Sequence, residues 1–436
     1  MISSVEVRLW GTRIGQLYLD PGNTSGQIAL YEYDKDFIRS GIEVSPLMMP
    51  LSRRIYAFPG LPYESFKGLP GLIADSLPDR FGNKVLDSWL ISQGRSPDSI
   101  SSLERLCYIG TRGMGALEYL PSTGPGFSGD LVDITEMTRF ASEVLDERSN
   151  ASVRSDSAGY SQLMETGTSA GGARAKALIA WNEDTGEIRS GQIALGQGFR
   201  YWILKFDNVA GNGDHGLTDD KQYSRIEYAY YLMAKDIGID MCECRLLERD
   251  GMCHFLTERF DRVNNRKVHM QSLAAIAHAD YNSPGIMSYE SYADIAKRLG
   301  IGQNGIRQIF TRMVFAVAGM NCDDHVKNFA FLMDRNGKWD ISPAYDLTYA
   351  FSPGNRWLSG HQMTVNGKTA GITEQDLLSC GRYMGLGPEY CRRAIRHVNS
   401  IVSDWMTYAE RSGLTEERAI SVAGGIEKAG IVRIRR

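Results

Sequence analysis

An α+β fold is predicted for this chain of 436 residues: an N-terminal β-rich module, then a two-lobed domain whose C-terminal lobe is mainly helical. Three observations carry that expectation. Residues Val5 to Leu19 alternate between apolar and polar around Trp10-Gly11-Thr12, the period-two pattern of a hairpin. Ala177 to Trp181 and Tyr201 to Phe206 are apolar runs of strand length. Ile306, Ile309, Phe310, Met313, Val314 and Val317 recur at the i, i+3, i+4, i+7 spacing of a half-buried helix.

The composition sets outer bounds. Hydrophobic residues make up 43% and charged residues 23% of the chain, which suits an ordinary soluble protein with a large core. The net charge of −4 supplies no basic footprint for binding nucleic acid unaided. Met1 to Glu6 lacks the basic and apolar regions of a signal peptide, and no apolar run approaches the roughly 18 residues of a membrane span. The 7 cysteines are scattered without zinc-type spacing and read as reduced thiols of a cytoplasmic protein. Cys242, Cys244 and Cys253 are expected to pack rather than to bind metal.

In chain order, Asp75 to Phe81 precedes a helical stretch containing Val85, Leu86, Trp89 and Leu90. The glycines of Ile109 to Ala116 turn the backbone into a strand; phosphate binding there is disfavoured because no helix follows. Pro121 to Gly129 is a linker, which separates a module at 1–125 from a small lobe at 126–262; the large lobe is 263–436. Thr168 to Lys176 holds a glycine pair between small residues. Such backbone can turn a hairpin or approach phosphates, and the spacing does not separate the two. Lys205 stands in an apolar strand, where an unpaired lysine is rare. Ile226, Tyr230, Met233, Ala234 and Ile237 form a helix face with Glu227 beside it. A strand Lys paired with a helix Glu is how kinases hold the α- and β-phosphates; a snorkelling Lys is the alternative. Where a hinge between lobes should fall, Glu258-Arg-Phe260-Asp261-Arg262 offers backbone and Phe260 to adenine and Asp261 to ribose, or else forms a salt-bridge cluster. Further on, His361 to Lys368 reads as a structural hairpin. Ile395, Val398, Val402, Trp405 and Ala409 mark one long core helix.

The most informative stretch follows the helix at 306–317. Asn321 to Asn328 is too polar for core, Phe329 to Met333 reads as a strand, Asn336-Gly337 as a turn, and Lys338 to Ser342 as the return strand ahead of Tyr345-Asp346. Protein kinases place a proton-accepting Asp five residues before a metal-binding Asn, and a second metal-binding Asp after a hairpin. Asp323, Asn328 and Asp346 follow that order. An Asp can take a hydroxyl proton, and Asn and Asp give Mg²⁺ hard oxygen ligands.

Four segments taken together (Ser169 to Lys176, Glu258 to Arg262, Asp323 to Phe329, Pro343 to Asp346) resemble the HipA family, serine/threonine kinase toxins of bacterial toxin–antitoxin pairs. The likeness spans nearly the whole chain. It implies a kinase-like fold and transfer of the ATP γ-phosphoryl group to a protein hydroxyl, with ATP and Mg²⁺. Asp323 would be the catalytic base and Asn328 and Asp346 the metal ligands. Gly171, Gly172, Ala173, Arg174, Ala175 and Lys176 would form the nucleotide loop, and Lys205, with Glu227, would hold phosphates. Glu258, Phe260 and Asp261 would line the adenine and ribose site, and His325, Lys327 and Tyr345 would stand beside the nucleotide. Ser169 occupies the family's autophosphorylation position, with Thr166 or Thr168 as substitutes. The implied partners are a HipB-type helix-turn-helix antitoxin, DNA reached through that antitoxin, and a protein substrate; the family's best-known target is an aminoacyl-tRNA synthetase. Two other classes stay open: a small-molecule phosphotransferase of aminoglycoside-kinase type, and a non-catalytic corepressor.

Overall fold

The computed structural model describes residues 2–20, 28–124, 126, 129–145, 162–163, 165–167, 174–207, 209, 222–428 and 430–435. The chain divides into two compact units. The first comprises Met1–Lys221, Leu247–Gln271 and Met333–Gly337, and the second Gln222–Leu246, Ser272–Leu332 and Lys338–Arg436.

The first unit opens with an antiparallel sheet of order β3-β2-β1-β4, from β1 (Ser4–Leu9), β2 (Thr12–Leu19), β3 (Ala29–Tyr33) and β4 (Leu117–Leu120). The expected hairpin closes on Trp10 and Gly11, with φ of 50° and 81°, and pairs Leu9 with Thr12. Two left-handed residues give the loop a twist that matches its strands. The alternation puts Val5, Val7 and Leu9 in the core. One-turn helices α1 (Lys35–Ile38), α2 (Tyr63–Phe66) and α3 (Gly71–Ala74) lead to α4 (Arg80–Ser92), α5 (Ser102–Ile109) and α6 (Ile134–Leu145). The Asp79 carboxylate caps α4 at the Gly82 N–H, and Ser101 and Glu104 cap each other's backbone at α5.

A second sheet holds β5 (Lys176–Asn182), β6 (Ile188–Ser190), β7 (Phe199–Lys205), β8 (Cys244–Arg249) and β9 (Met252–Glu258) in the order β6-β5-β7-β9-β8. Phe81, Val85 and Leu86 of α4, Ile109 of α5 and Phe140 of α6 join Ala177, Ile179, Trp202, Leu204 and Leu256 of this sheet in one core. The segments expected as separate domains at 1–125 and 126–262 therefore share a core. The apolar stripe of α4 needs a surface to bury against, and the second sheet supplies it. After β9 come β10 (Arg262–Val263), β11 (Arg266–Lys267) and β12 (His269–Ser272).

The link between the two sheets is ionic as well as apolar. The Asp261 side chain is 0% exposed. Arg259 donates through Nε and Nη2 to its two oxygens at 2.9 Å each, Arg262 donates at 2.7 Å, and the Gly115 N–H at 2.8 Å. Arg262 also donates to the carbonyls of Gly113 and Gly115, and Arg259 to that of Gly191. The glycine turn after α5 thus exists for close backbone approach: at Gly115, φ is 73° and a Cβ would lie 3.1 Å from the Met270 nitrogen. Burial alone would raise the Asp261 pKa, but the two guanidiniums and the amide outweigh it and hold the carboxyl well below the usual range. This corrects the expectation that Asp261 accepts from a ribose: the carboxylate is enclosed and serves the fold.

The second unit is mainly helical: α7 (Tyr223–Ile237), α8 (Leu273–Ala277), α9 (Tyr289–Arg298), α10 (Gln303–Ala318), the strands β13 (Ala330–Met333) and β14 (Trp339–Ile341), then α11 (Glu374–Tyr383), α12 (Pro388–Ser403), α13 (Trp405–Arg411) and α14 (Glu416–Lys428). Helix α10 is the spine and packs against α9, α11 and α12. It buries Ile309, Phe310, Met313, Val314 and Phe315, each worth about 1.5–3 kcal/mol. The long C-terminal helix expected from Ile395 to Ala409 is two helices that meet at Asp404. There Trp405 turns into the core and donates from Nε1 to the Ala419 carbonyl at 2.9 Å. Among the described residues, no helix is long and apolar enough to cross a membrane.

Removing the Asp261 charge strands two guanidiniums in the core. Asp261→Asn should therefore cost about 3–5 kcal/mol at pH 7, read by urea denaturation. A depressed carboxyl pKa contributes stability above the unfolded value, near 3.9, and loses it as pH falls toward the folded value. The deficit of the variant should accordingly narrow below about pH 4.

Candidate active site

The second unit builds a loop on the end of α10. Gly319 ends the helix, Met320 takes a left-handed φ of 53°, and the Asn321 N–H donates back to the Ala316 carbonyl at 2.9 Å. Asn321 and Ala350 form a parallel bridge, and the Cys322 N–H donates to the Ala350 carbonyl at 3.1 Å. Inside α10, buried Arg312 donates to the carbonyls of Ser342 and Asp240, at 2.9 and 3.2 Å. The helix that delivers the loop is thus tied to the strand that returns from the hairpin.

Two adjacent carboxylates leave this loop with opposite fates. Asp324 is buried. Its Oδ2 accepts from the Tyr289 hydroxyl at 2.9 Å and lies 3.0 Å from His361 Nδ1, and its Oδ1 accepts from the Gln362 N–H at 2.7 Å. Burial, and then the Asp324 charge, push the Tyr289 hydroxyl well above its ordinary pKa, so it remains a donor. A carboxylate partner assigns the His361 proton to Nδ1. Asp323, by contrast, keeps 25% of its side chain exposed, and its Oδ1 accepts from Gln362 Nε2 at 2.9 Å.

The rest of the loop is internally bonded. The Asn328 N–H donates to the His325 carbonyl at 2.8 Å, and its Nδ2 donates to the Asp323 carbonyl at 2.7 Å. That bond fixes Nδ2 of the amide on the loop's own backbone. His325 Nδ1 accepts from the Lys327 N–H at 3.2 Å, which leaves the neutral ring's proton on Nε2, 3.9 Å from Asp323 Oδ1. Tyr345 donates its hydroxyl to the Lys327 carbonyl at 2.8 Å, and the Lys327 ammonium lies 4.4 Å from the Tyr281 ring centre. Asp346 holds a left-handed φ of 52°, a conformation that costs a non-glycine residue of order 1–3 kcal/mol and clusters at functional sites. Cys322, next in line, is no nucleophile: burial pushes its thiol far up.

Asn328 and Asp346 present an amide and a carboxylate, both hard oxygen donors that suit Mg²⁺. Among the described residues no group of three or more His, Cys, Asp or Glu could hold a metal. Mg²⁺ keeps waters and takes substrate phosphates, so one or two protein oxygens of this type would be enough to hold it.

In the first unit, Lys205 is half-buried on β7, with Nζ 5.6 Å from the Phe255 ring centre. Glu227, its expected partner, is buried on α7 of the second unit. Glu258 makes a paired contact with Arg200 at 3.1 and 2.8 Å, and Phe260 beyond it is half-buried. Lys176 was expected in the nucleotide loop, but it is the first residue of β5, buried, with Nζ 3.7 Å from Asp79 Oδ2. A lysine in that strand position needs an anion, and the cap of α4 supplies it. Ala175 is likewise buried, while Arg174 is half-buried. Thr166 is buried and donates its hydroxyl to the Gln162 carbonyl at 2.8 Å. Thr168, Ser169, Gly171, Gly172 and Ala173 lie outside the described residues.

Sequence reasoning missed Tyr289, His361 and Gln362. The hairpin at 361–368 does form, with a bridge between Val365 and Lys368, but its leading His-Gln pair bonds to Asp323 and Asp324. The only trace was two polar residues ahead of an apolar strand pattern.

The α+β chain thus places a partly exposed Asp323, a bonded Asn328 five residues later and Asp346 after a hairpin. The chain belongs to the HipA family: a model of the HipA-like C-terminal domain matches residues 168–405, and one of the HipA N-terminal domain matches residues 5–120. A solved complex of HipA, HipB and operator DNA from Shewanella oneidensis is similar in fold, with a TM-score of 0.67 and 17% identity over 98% of this chain and 95% of that one. A Haemophilus influenzae protein named "Putative kinase" is 30% identical over 33% of this chain, and the Sinorhizobium fredii "Putative kinase Y4dM" is 27% identical over 29% of it. The matched stretches span 47% and 35% of those two proteins.

If Asp324 anchors the loop, Asp324→Ala should destabilise the protein by more than Asp323→Ala. Each buried donor left unmade costs about 1–3 kcal/mol, whereas the half-exposed Asp323 should stay within about 1 kcal/mol of the parent. Denaturant midpoints of the two variants, measured side by side, check the order.

Proposed function

We propose that this chain is an ATP-dependent serine/threonine protein kinase and the toxin of a toxin–antitoxin pair. The observation that carries the reading is the contrast between adjacent carboxylates. Asp324 is spent on anchoring the loop, while Asp323 accepts from the Gln362 amide and keeps a quarter of its side chain exposed. Membership of the HipA family supports the same conclusion.

In this reading a hydroxyl oxygen of a protein substrate forms a bond to the γ-phosphorus of ATP. The bond from that phosphorus to the β,γ-bridging oxygen breaks, and its electron pair leaves with ADP. The hydroxyl proton passes to the Asp323 carboxylate. Bound Mg²⁺ would neutralise phosphate charge, with Asn328 and Asp346 as its protein ligands. Lys205, with Glu227, would hold the α- and β-phosphates, and Glu258 and Phe260 the adenine. His325, Lys327 and Tyr345 shape the loop around the base. Catalysis of this kind is mostly positioning and charge stabilisation. The partner would be a HipB-type antitoxin, as in the Shewanella complex, which also contains operator DNA. A net charge of −4 suits contact with DNA through such a partner rather than directly. An aminoacyl-tRNA synthetase is the substrate class to try first, and Ser169 the site for self-phosphorylation.

Asp323→Asn should bind Mg-ATP as the parent does and transfer phosphate about 10²–10⁴-fold more slowly. Asp346→Ala should lose Mg²⁺-dependent ATP affinity and keep its fold. Both are read by calorimetric titration with ATP and by label incorporation from γ-labelled ATP. Label passing to an aminoglycoside and to no protein would shift the assignment to a small-molecule phosphotransferase. Near-parental transfer by Asp323→Asn would place the base elsewhere.

A further inference from the structure

Gln362 is buried at 4% exposure, yet it spends its side-chain donor on a carboxylate that is partly in water. We propose that Gln362 is a positioning residue for the Asp323 base, an inference that rests on the kinase reading above.

The geometry is unusual in serving two neighbours from one residue. The Gln362 main-chain N–H donates to Asp324 Oδ1 at 2.7 Å, and its Nε2 donates to Asp323 Oδ1 at 2.9 Å. Its carbonyl accepts from the Gly285 N–H at 2.7 Å, so the backbone that carries the amide is fixed on both sides. The residue reaches the loop from 39 positions downstream. Two consecutive aspartates repel each other, and a loop carrying both needs neutral donors to keep each carboxylate in one orientation. Tyr289, His361 and the Gln362 backbone do this for Asp324, and the Gln362 side chain does it for Asp323.

An amide suits this task better than a charged donor. It fixes one oxygen of the base without forming a buried ion pair that would weaken the base's pull on a proton. It also carries no charge of its own into a site that must receive phosphates. Orientation of a reacting group matters steeply: a misplacement near 1 Å can cost on the order of 10² in rate. Gln362 touches neither Asn328 nor Asp346 through any bond described above, so its contribution should fall on the transfer step rather than on nucleotide binding.

Five proteins test this: the parent chain, Asp323→Asn, Gln362→Met, Gln362→Asn and the double variant of Asp323→Asn with Gln362→Met. Methionine keeps the buried length and the backbone N–H to Asp324 while removing the donor. Each is assayed with γ-labelled Mg-ATP for label entering the chain itself and added casein, and thermal midpoints are recorded. Gln362→Met should lower kcat by about 10–10²-fold and leave KM for ATP within about threefold. Gln362→Asn, which keeps an amide donor, should recover part of the rate. The double variant should be no slower than Asp323→Asn alone, because a residue acting through the base adds nothing once the base is gone. An unchanged kcat in Gln362→Met, or a fully additive loss in the double variant, overturns the proposal. Should Gln362→Met prove unstable, Gln362→Glu keeps the shape and reverses the donor; parental kcat in that variant overturns the proposal as well. If the parent transfers no label, the kinase reading itself fails; if Asp323→Asn transfers as much as the parent, the base lies elsewhere and this inference falls with that assignment. If those two behave as expected and only the Gln362 variants match the parent, this inference alone falls.

Discussion

The buried carboxylate of Asp324 is the constraint on which the second unit's chemistry depends. A charge taken out of water must be met by donors, and here three donors from two distant segments meet it: Tyr289 at the start of α9, and His361 with the backbone of Gln362. None of these is near Asp324 in sequence, so the anion gathers them. Once gathered, they fix the direction in which the preceding residue leaves the loop. The exposure of Asp323 is therefore a consequence of the burial of Asp324. A weakly held loop would let the two acids exchange places.

The first unit follows the same rule with the signs arranged differently. Arg259, Asp261 and Arg262 form a closed set with the glycine turn after α5. Pairs of this kind are weak sources of stability, since desolvation offsets much of the attraction. Their effect is on geometry. They allow only one placement of the N-terminal sheet's connecting turn against the segment that follows β9. Together with the apolar core shared by α4, α6 and the second sheet, they make one unit out of two stretches that look separable.

The sequence revealed periodic and local features and missed those made by distant residues. The β1–β2 hairpin, α10 and the β13–β14 turn each follow from a pattern contained in fewer than twenty residues. The five-residue interval between Asp323 and Asn328, which a bond spans in the structure, is a local feature and so was visible in the sequence. Gln362 was not, since a donor supplied from another hairpin leaves no mark beside the residue it serves. Asp261 was misread for a related reason: its neighbours Arg259 and Arg262 fit an exposed hinge as well as a closed clamp, and only Gly113 and Gly115, far back in the chain, decide between them. The shared core was missed because a linker-like composition does not tell whether the stretches on either side pack into one core. Likewise, Val398, Val402 and Trp405 keep helical spacing across the break at Asp404.

The bond from Asn328 Nδ2 to the Asp323 carbonyl has a meaning for spacing itself. It closes residues 323 to 328 into a ring, so the interval between the two polar positions is a ruler set by bond lengths. The bond ties the Asn328 side chain to the backbone of the residue that carries the Asp323 carboxylate. A single inserted or deleted residue would open the ring and separate the pair, even if every side chain were retained. The number of residues in between is therefore as tightly constrained as the identity of Asp324 among them.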